Sequence, residues 1–475
     1  MKSQINSLRD FEAYAKTLID QYQIPGVAIG FAQNGVPVYE KGFGFRNIDQ
    51  KLPVTMDTVF GIASVTKSFT CVAIMQLQEQ GQLSIHDSVV KYLPEFVTPT
   101  DKTDKMTIEH FMSHTAGLPP LPSLVYTKKR SLDADPSVKD YPGLHIKEDD
   151  NQEPIDTYEQ LMEFIGKLNF DLLGEPGTEF SYSNDAYGLL GAIVERVSGI
   201  SYESYVKTYI LEPAGMNHSY FELKDMKDYD NITTLYAAKK QENGETVVYE
   251  APVWWESPAM RGAGALKSTV HDMLRYAEIF RNKGKVGDHQ ILTPESVEEM
   301  IKPRIQCTPG KYYGYGLMIT PDFHGGTLVE HGGNLKGIAS QVCIIPERGI
   351  TGMILTNLAG VPAPTIMNAA LNDLEGRSVT DTPIILQEEA VPQETLKEYE
   401  GIYQSNEGME LKFTANNGSL EVSAQGTSYP IKSIGSDMFV AIVRDQTEVI
   451  RFIRNDKGKV IRVAYHLRQF PKVEQ

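Results

Sequence analysis

Cysteine and tryptophan are scarce in this chain of 475 residues, with three of the first and two of the second. Cys71, Cys307 and Cys343 are odd in number and far apart, and no C-x-x-C pair occurs. That pattern argues against a disulfide framework and against a thiolate metal site. No run is long and apolar enough to cross a bilayer. The opening residues Met1-Lys2-Ser3-Gln4-Ile5-Asn6 also lack the apolar core of a signal peptide. The expectation is a cytoplasmic protein, although a chain begun after a removed signal would look the same. Positive charge is in deficit too: 45 Lys and Arg stand against 62 Asp and Glu, a formal net charge of −17. Such a surface disfavours nucleic acid and anionic lipid as partners. His110 and His114 are four apart, but no H-E-x-x-H accompanies them, so a zinc site is not expected. The Gly264–Thr269 segment lacks the glycine that a phosphate loop places before its lysine, and no G-x-S-x-G is present.

What remains is an ordinary globular composition, 41% hydrophobic and 23% charged. Residues 7–22 read as a helix with Leu8, Phe11, Tyr14, Ala15 and Leu18 on one face. Val27–Ala32 and Val36–Gly42 read as strands joined at Asn34-Gly35, a strong hairpin signal. Helical periodicity is expected from Ser64 to about Gln80 and again over 157–167, 185–198, 202–211, 270–282 and 294–302. Strand-like runs dominate from Thr327 to Asn357. Residues 119–156, rich in proline and charge and including Glu148-Asp149-Asp150, read as a long surface insertion. Residues 377–393 read as a linker. Beyond it Met409–Phe413, Leu420–Ala424, Met438–Ile442, Glu448–Ile453 and Val460–His466 suggest a small antiparallel β domain.

Three groups of residues carry chemistry. Ser64 and Lys67 are one helical turn apart, which sets hydroxyl and amine side by side on one face, where a desolvated lysine can help deprotonate the serine. Capping by Ser64 and a solvated Lys67 would give the same four letters. Tyr182 and Asn184, two apart, point to one side if extended. There they could serve as a proton-transfer phenol and a carbonyl-holding amide, or as a buried ring and a helix cap. His331-Gly332-Gly333 lies between two strands, where glycine admits close approach of a backbone. A second His-Gly-Gly at His324 makes that motif ambiguous on its own.

Taken in order, Ser64-Val-Thr-Lys67, Tyr182-Ser-Asn184 and His331-Gly-Gly333 resemble the S-x-x-K, Y-x-N and K-T-G or H-x-G motifs of the penicillin-recognising serine hydrolases. That family comprises class C β-lactamases, D-alanyl-D-alanine peptidases, D-aminopeptidases and related esterases. The tail through Gly337, Ser340 and Ile345-Pro346-Glu347 favours His331 over His324. The segments Ser113–Leu118, Leu211–Met216 and Ala263–Ser268 are similar as well. The resemblance implies an α+β fold: a β-lactamase/transpeptidase-like catalytic domain at 1–376, α/β plus all-α around a central antiparallel sheet. A lipocalin-like barrel at 394–475 would follow. It implies Ser64 as nucleophile, Lys67 and Tyr182 as proton relay, and Asn184, His331 and Gly333 as substrate-binding residues. The backbone N–H groups of Ser64 and Asn334 would form the oxyanion hole. It implies a small peptide or ester substrate, no cofactor and no metal, and leaves homo-oligomerisation open. Histidine in place of the lysine of K-T-G argues for peptides or esters over β-lactams, because imidazole is mostly neutral at pH 7.

Overall fold

The computed structural model describes residues 8–141, 151–241, 243–382, 386–416, 418–424, 426–443 and 445–473. Its centre is a nine-stranded sheet whose neighbouring strands all pair antiparallel. Strand Gly26–Gln33 lies inside it, between Ile350–Thr356 and Val36–Asn47, and is buried from Gly26 to Ala32. The turn to the next strand holds Asn34 at φ 52° and Gly35 at φ 76°, the left-handed pair that suits a tight hairpin. Side chains alternate across the sheet as the strand repeat requires. Val27, Ile29, Phe31 and Ile354 pack on one face against Phe11, Ala15 and Leu18 of helix Arg9–Gln21 and Ile366 and Ala370 of helix Ala363–Leu374. On the other face Ala28, Val342, Met353 and Leu355 join the main core, which holds helices Val270–Arg281, Thr66–Glu79 and Asn184–Ser198.

Helix Thr66–Glu79 departs from the amphipathic expectation. Every residue from Thr66 to Leu77 is buried, because the helix runs through the seam between the sheet side and the helical half of the domain. The 119–156 segment also departs from a surface insertion. It forms two short helices, Ser123–Tyr126 and Lys129–Ala134, and buries Leu121, Lys128, Leu132 and Asp135. A buried ion pair of Lys336 with Asp135, at 2.7 Å, ties it to the hairpin that follows His331. Residues 142–150, with Glu148-Asp149-Asp150, lie outside the described residues. Among the described residues no helix is long and apolar enough to cross a membrane.

The C-terminal part is an eight-stranded antiparallel sheet running in chain order from Gly401–Gln404 to Arg468–Pro471. A bridge between Tyr403 and Lys472, and the bond from Val473 N–H to the Ile402 carbonyl at 2.8 Å, bring first and last strands together into a nearly closed barrel. Strands Gly401–Gln404, Thr427–Gly435 and Arg468–Pro471 and helix Gln393–Glu398 were not anticipated from the sequence. The interior is filled by Tyr399, Tyr403, Phe413, Phe439 and Phe452 rather than hollowed for a ligand. Phe452 anchors it, with the rings of Tyr399 and Phe413 at 4.5 and 4.9 Å. Phe452→Ala should lower the unfolding free energy of the barrel by about 3–5 kcal/mol in a urea titration followed by near-ultraviolet circular dichroism.

Candidate active site

A two-residue strand, Phe60–Gly61, pairs with Lys267–Ser268 and delivers the chain into a tight turn at Ala63–Val65. Ala63 takes a left-handed backbone at φ 44°, a conformation that costs an L-residue about 1–3 kcal/mol. Ser64 follows in this 3₁₀ turn, and the α-helix proper begins at Thr66 rather than at the serine. The turn is braced from the sheet: Ser340 Oγ donates to the Ile62 carbonyl at 2.8 Å. At Gly333 a Cβ would overlap the Ile62 carbonyl and the Ser340 hydroxyl. The missing side chain there makes room for the turn that carries Ser64.

Lys67 is fully buried beneath the serine. Its Nζ donates to Asn184 Oδ1 at 2.8 Å and to the Ala263 carbonyl at 2.7 Å, and lies 3.2 Å from Ser64 Oγ. Two of these three neighbours are carbonyl oxygens that only accept. A neutral amine donates one N–H to each and turns its lone pair toward the Ser64 hydroxyl. Burial, reinforced by the positive Arg468, holds the Lys67 ammonium well below the usual lysine range. The three neighbours suit either form, since an ammonium would donate to all of them, and it is desolvation that favours the neutral amine facing the serine.

Tyr182 and Asn184 frame this pair. Ser183 caps helix Asn184–Ser198 by accepting from Ala186 N–H, which frees the Asn184 side chain for Lys67. Tyr182 lies with its ring 4.7 Å from Lys67 Nζ. Its hydroxyl is buried without a well-formed hydrogen bond, although Ser64 is near enough to offset part of the burial. Burial still raises its pKa, so the phenol stays protonated and is no resting base. His114 accepts from Ser183 N–H at 3.0 Å and stacks on Tyr182 with centroids 4.2 Å apart, which fixes the segment. It serves there as packing and as a hydrogen-bond acceptor.

His331 is also buried, and both its ring nitrogens are engaged within the protein. Nδ1 faces the Gly332 carbonyl at 2.7 Å and must donate, so Nε2 accepts from Tyr313 O–H at 2.9 Å. Burial, with Lys67 nearby, pushes its pKa down to about 3, which keeps the ring neutral. Across the hairpin, the Ala339 N–H and carbonyl both bond the Thr356 hydroxyl. The opposed Asn334 amide is consequently turned from that strand, toward the edge where pairing with strand Met318–Phe323 has ended at Glu330.

The barrel completes the cleft. Its last hairpin turns at His466-Leu467, both left-handed at φ 45° and 65° without a glycine. The Leu467 carbonyl accepts from Tyr182 N–H at 2.8 Å. Arg468 then lies 5.2 Å from the Tyr182 ring and is paired to Glu407 at 2.8 Å. The resulting cleft, about 1210 Å³, is lined by Ser64, Tyr182, Asn184, His331, Trp254 and Trp255 among others.

The profile of the beta-lactamase family matches residues 11–376. The chain belongs to the beta-lactamase family. Penicillin-binding protein 4* of Bacillus subtilis (strain 168) is 25% identical over 441 residues, 89% of this chain and 88% of that protein. The octameric penicillin-binding protein homologue from Pyrococcus abyssi aligns over 98% of this chain and 100% of its own, with a TM-score of 0.69 and 29% identity. EstCE1, described as a hydrolase with promiscuous acyltransferase activity, aligns over 76% of this chain and 97% of its own, with a TM-score of 0.59 and 25% identity.

In this beta-lactamase family member the structure brings Ser64, Tyr182, Asn184, His331, Gly333 and Asn334 to one cleft, with Lys67 buried beneath Ser64. Sequence reasoning missed Glu407 and Arg468, which arrive from a separate domain, and Lys128, which sits in a segment without periodicity. Trp254 and Trp255, an aromatic pair that the sequence leaves open as cleft lining or core, line the cleft. Because Lys67 accepts a proton only when neutral, kcat/KM for an uncharged ester should fall on acidification, with its rising limb well below the usual lysine range. Removing the positive Arg468 must raise the Lys67 pKa, so Arg468→Met should move that limb to higher pH in a pH–rate profile.

Proposed function

We propose that the protein is a serine hydrolase that forms an acyl-enzyme at Ser64 and acts on short peptides, including peptides with D-residues. The observation that carries this reading is the Lys67 amine, held by two carbonyl oxygens with Ser64 as its third neighbour. Ser64 Oγ attacks the acyl carbon while its proton passes to the Lys67 lone pair, directly or through the Tyr182 hydroxyl. The oxyanion takes hydrogen bonds from the backbone N–H groups of Ser64 and Asn334. Collapse expels the leaving amine or alcohol, which takes the proton, and water then cleaves the acyl-enzyme by the same relay. Asn184 holds both Lys67 and the substrate side of the cleft. His331, as a neutral ring locked by Tyr313, shapes the cleft wall and carries no charge.

Short substrates fit a cleft roofed by the barrel turn at His466–Arg468. In this reading residues 1–376 do the chemistry, 377–393 link, and 394–475 form a barrel that sets access. A carboxylesterase of the same fold is the second reading, supported by the likeness to EstCE1 and by a neutral His331 that suits uncharged acyl groups. The octameric Pyrococcus abyssi homologue supports assembly of several copies. Ser64→Ala should lose turnover by at least about 10³-fold, and Lys67→Met by about 10²–10⁴-fold. Intact-mass measurement should show fluorophosphonate labelling of the native enzyme and none of Ser64→Ala. Full turnover or labelling of Ser64→Ala would remove the assignment. Profiling against D- and L-amino-acid anilides and p-nitrophenyl esters then separates peptidase from esterase.

A further inference from the structure

Several cations line the cleft around Ser64, and most are already matched. Arg468 is paired to Glu407, and Arg261 to Glu203 and Glu222. Lys267 donates to the Phe221 carbonyl at 2.6 Å and lies 3.5 Å from Glu256. Lys239 and Lys240 stand exposed on the hairpin strand Tyr236–Lys240. Lys128 differs from all of these. It is 6% exposed and lines the cleft, and its Nζ makes no hydrogen bond or ion pair with any described residue. Its Nζ faces the Trp255 ring, 5.7 Å from the centroid.

The surroundings explain why no carboxylate of the described residues answers it. Asp135 Oδ2, on the same segment, already accepts from Lys336 Nζ at 2.7 Å and Trp255 Nε1 at 2.7 Å. Glu407, across the cleft, is held by Arg468. These contacts also make the site rigid: the Lys336–Asp135 pair fixes the segment to the sheet hairpin, and Trp255 is held by its indole N–H. A buried cation on a cleft wall, without an anion of its own, is costly unless a ligand supplies one. His331 offers no charge that could compete for the role, since both its ring nitrogens are engaged.

We propose that Lys128 binds a free carboxylate of the substrate, so that the cleft selects short acyl compounds bearing a carboxylate over their neutral counterparts. Burial pushes the Lys128 ammonium down to about 8, Glu407 opposing and Arg468 adding to the shift, so it stays mainly protonated at pH 7. The assignment rests on Ser64 being the nucleophile of the same cleft, and it names the substrate class for that reaction.

The test measures how well N-acetyl-dialanine, in its D,D and L,L forms, protects Ser64 from fluorophosphonate labelling, compared with the corresponding C-terminal amides. The native enzyme should be protected by at least one acid at a concentration about 10-fold or more below its amide, the range of a charge-assisted hydrogen bond. Lys128→Met should abolish that difference while leaving the labelling rate without competitor unchanged within about twofold, and Lys128→Arg should keep most of it. Equal protection by acid and amide in the native enzyme, absence of any protection included, overturns the proposal. So does a preference that survives in Lys128→Met, or a Lys128→Met enzyme that labels as slowly as Ser64→Ala. Failure of Ser64 to label in the native enzyme contradicts the serine hydrolase reading itself, and the two failures are thereby told apart.

Discussion

The three-sided setting of the Lys67 amine is the constraint on which the rest of the structure depends. A lysine surrounded by apolar packing must either find anions or give up its proton. Here it finds two neutral carbonyl oxygens and a serine hydroxyl, and the positive Arg468 disfavours its charge further. The neutral amine satisfies all three neighbours, with two N–H donors and one lone pair. Each neighbour is in turn fixed by a different part of the fold. Ala263 belongs to the short helix Arg261–Gly264, Asn184 opens the helix capped by Ser183, and Ser64 sits in a strained turn braced by Ser340.

The barrel belongs to the same arrangement. Its core is filled with aromatic rings, so its contribution to the site comes from its rim. Two turns do this: one carries Glu407 and the other His466, Leu467 and Arg468. The second is built from two left-handed residues that lack glycine, a strained conformation held by the docking of Leu467 on Tyr182. A barrel with its own aromatic core thereby brings the positive Arg468 near Lys67 and sets its last turn against Tyr182.

Much of this was legible in the sequence, for reasons that differ by element. Ser64, Lys67, Tyr182 and Asn184 are short-range pairs whose spacing is set by one helix turn or one extended step, so their partnership survives in the linear order. Helix Arg9–Gln21 and the Asn34-Gly35 hairpin were legible because one buried face or one turn conformation decides them. Helix Thr66–Glu79 was expected to be amphipathic, yet it is buried all round, because a two-sided environment is a tertiary fact. Strand Thr427–Gly435 was hidden by Pro430, Gly435 and polar alternation on an exposed barrel face. Lys128, Glu407 and Arg468 gave no local signal at all: their significance arises only where three distant segments meet. The engagement of His331 with Tyr313 was equally invisible, and it ties up both ring nitrogens within the protein.

The protonation state of Lys67 tests the central claim most directly. Carbon-13 labelling at lysine Cε, with the Lys67 resonance assigned by its loss in Lys67→Arg, reports that state by NMR in the unliganded enzyme. The account predicts a neutral amine at pH 7 that becomes protonated only on acidification. A Lys67 resonance that remains that of an ammonium up to about pH 10, where an unperturbed lysine titrates, would contradict it.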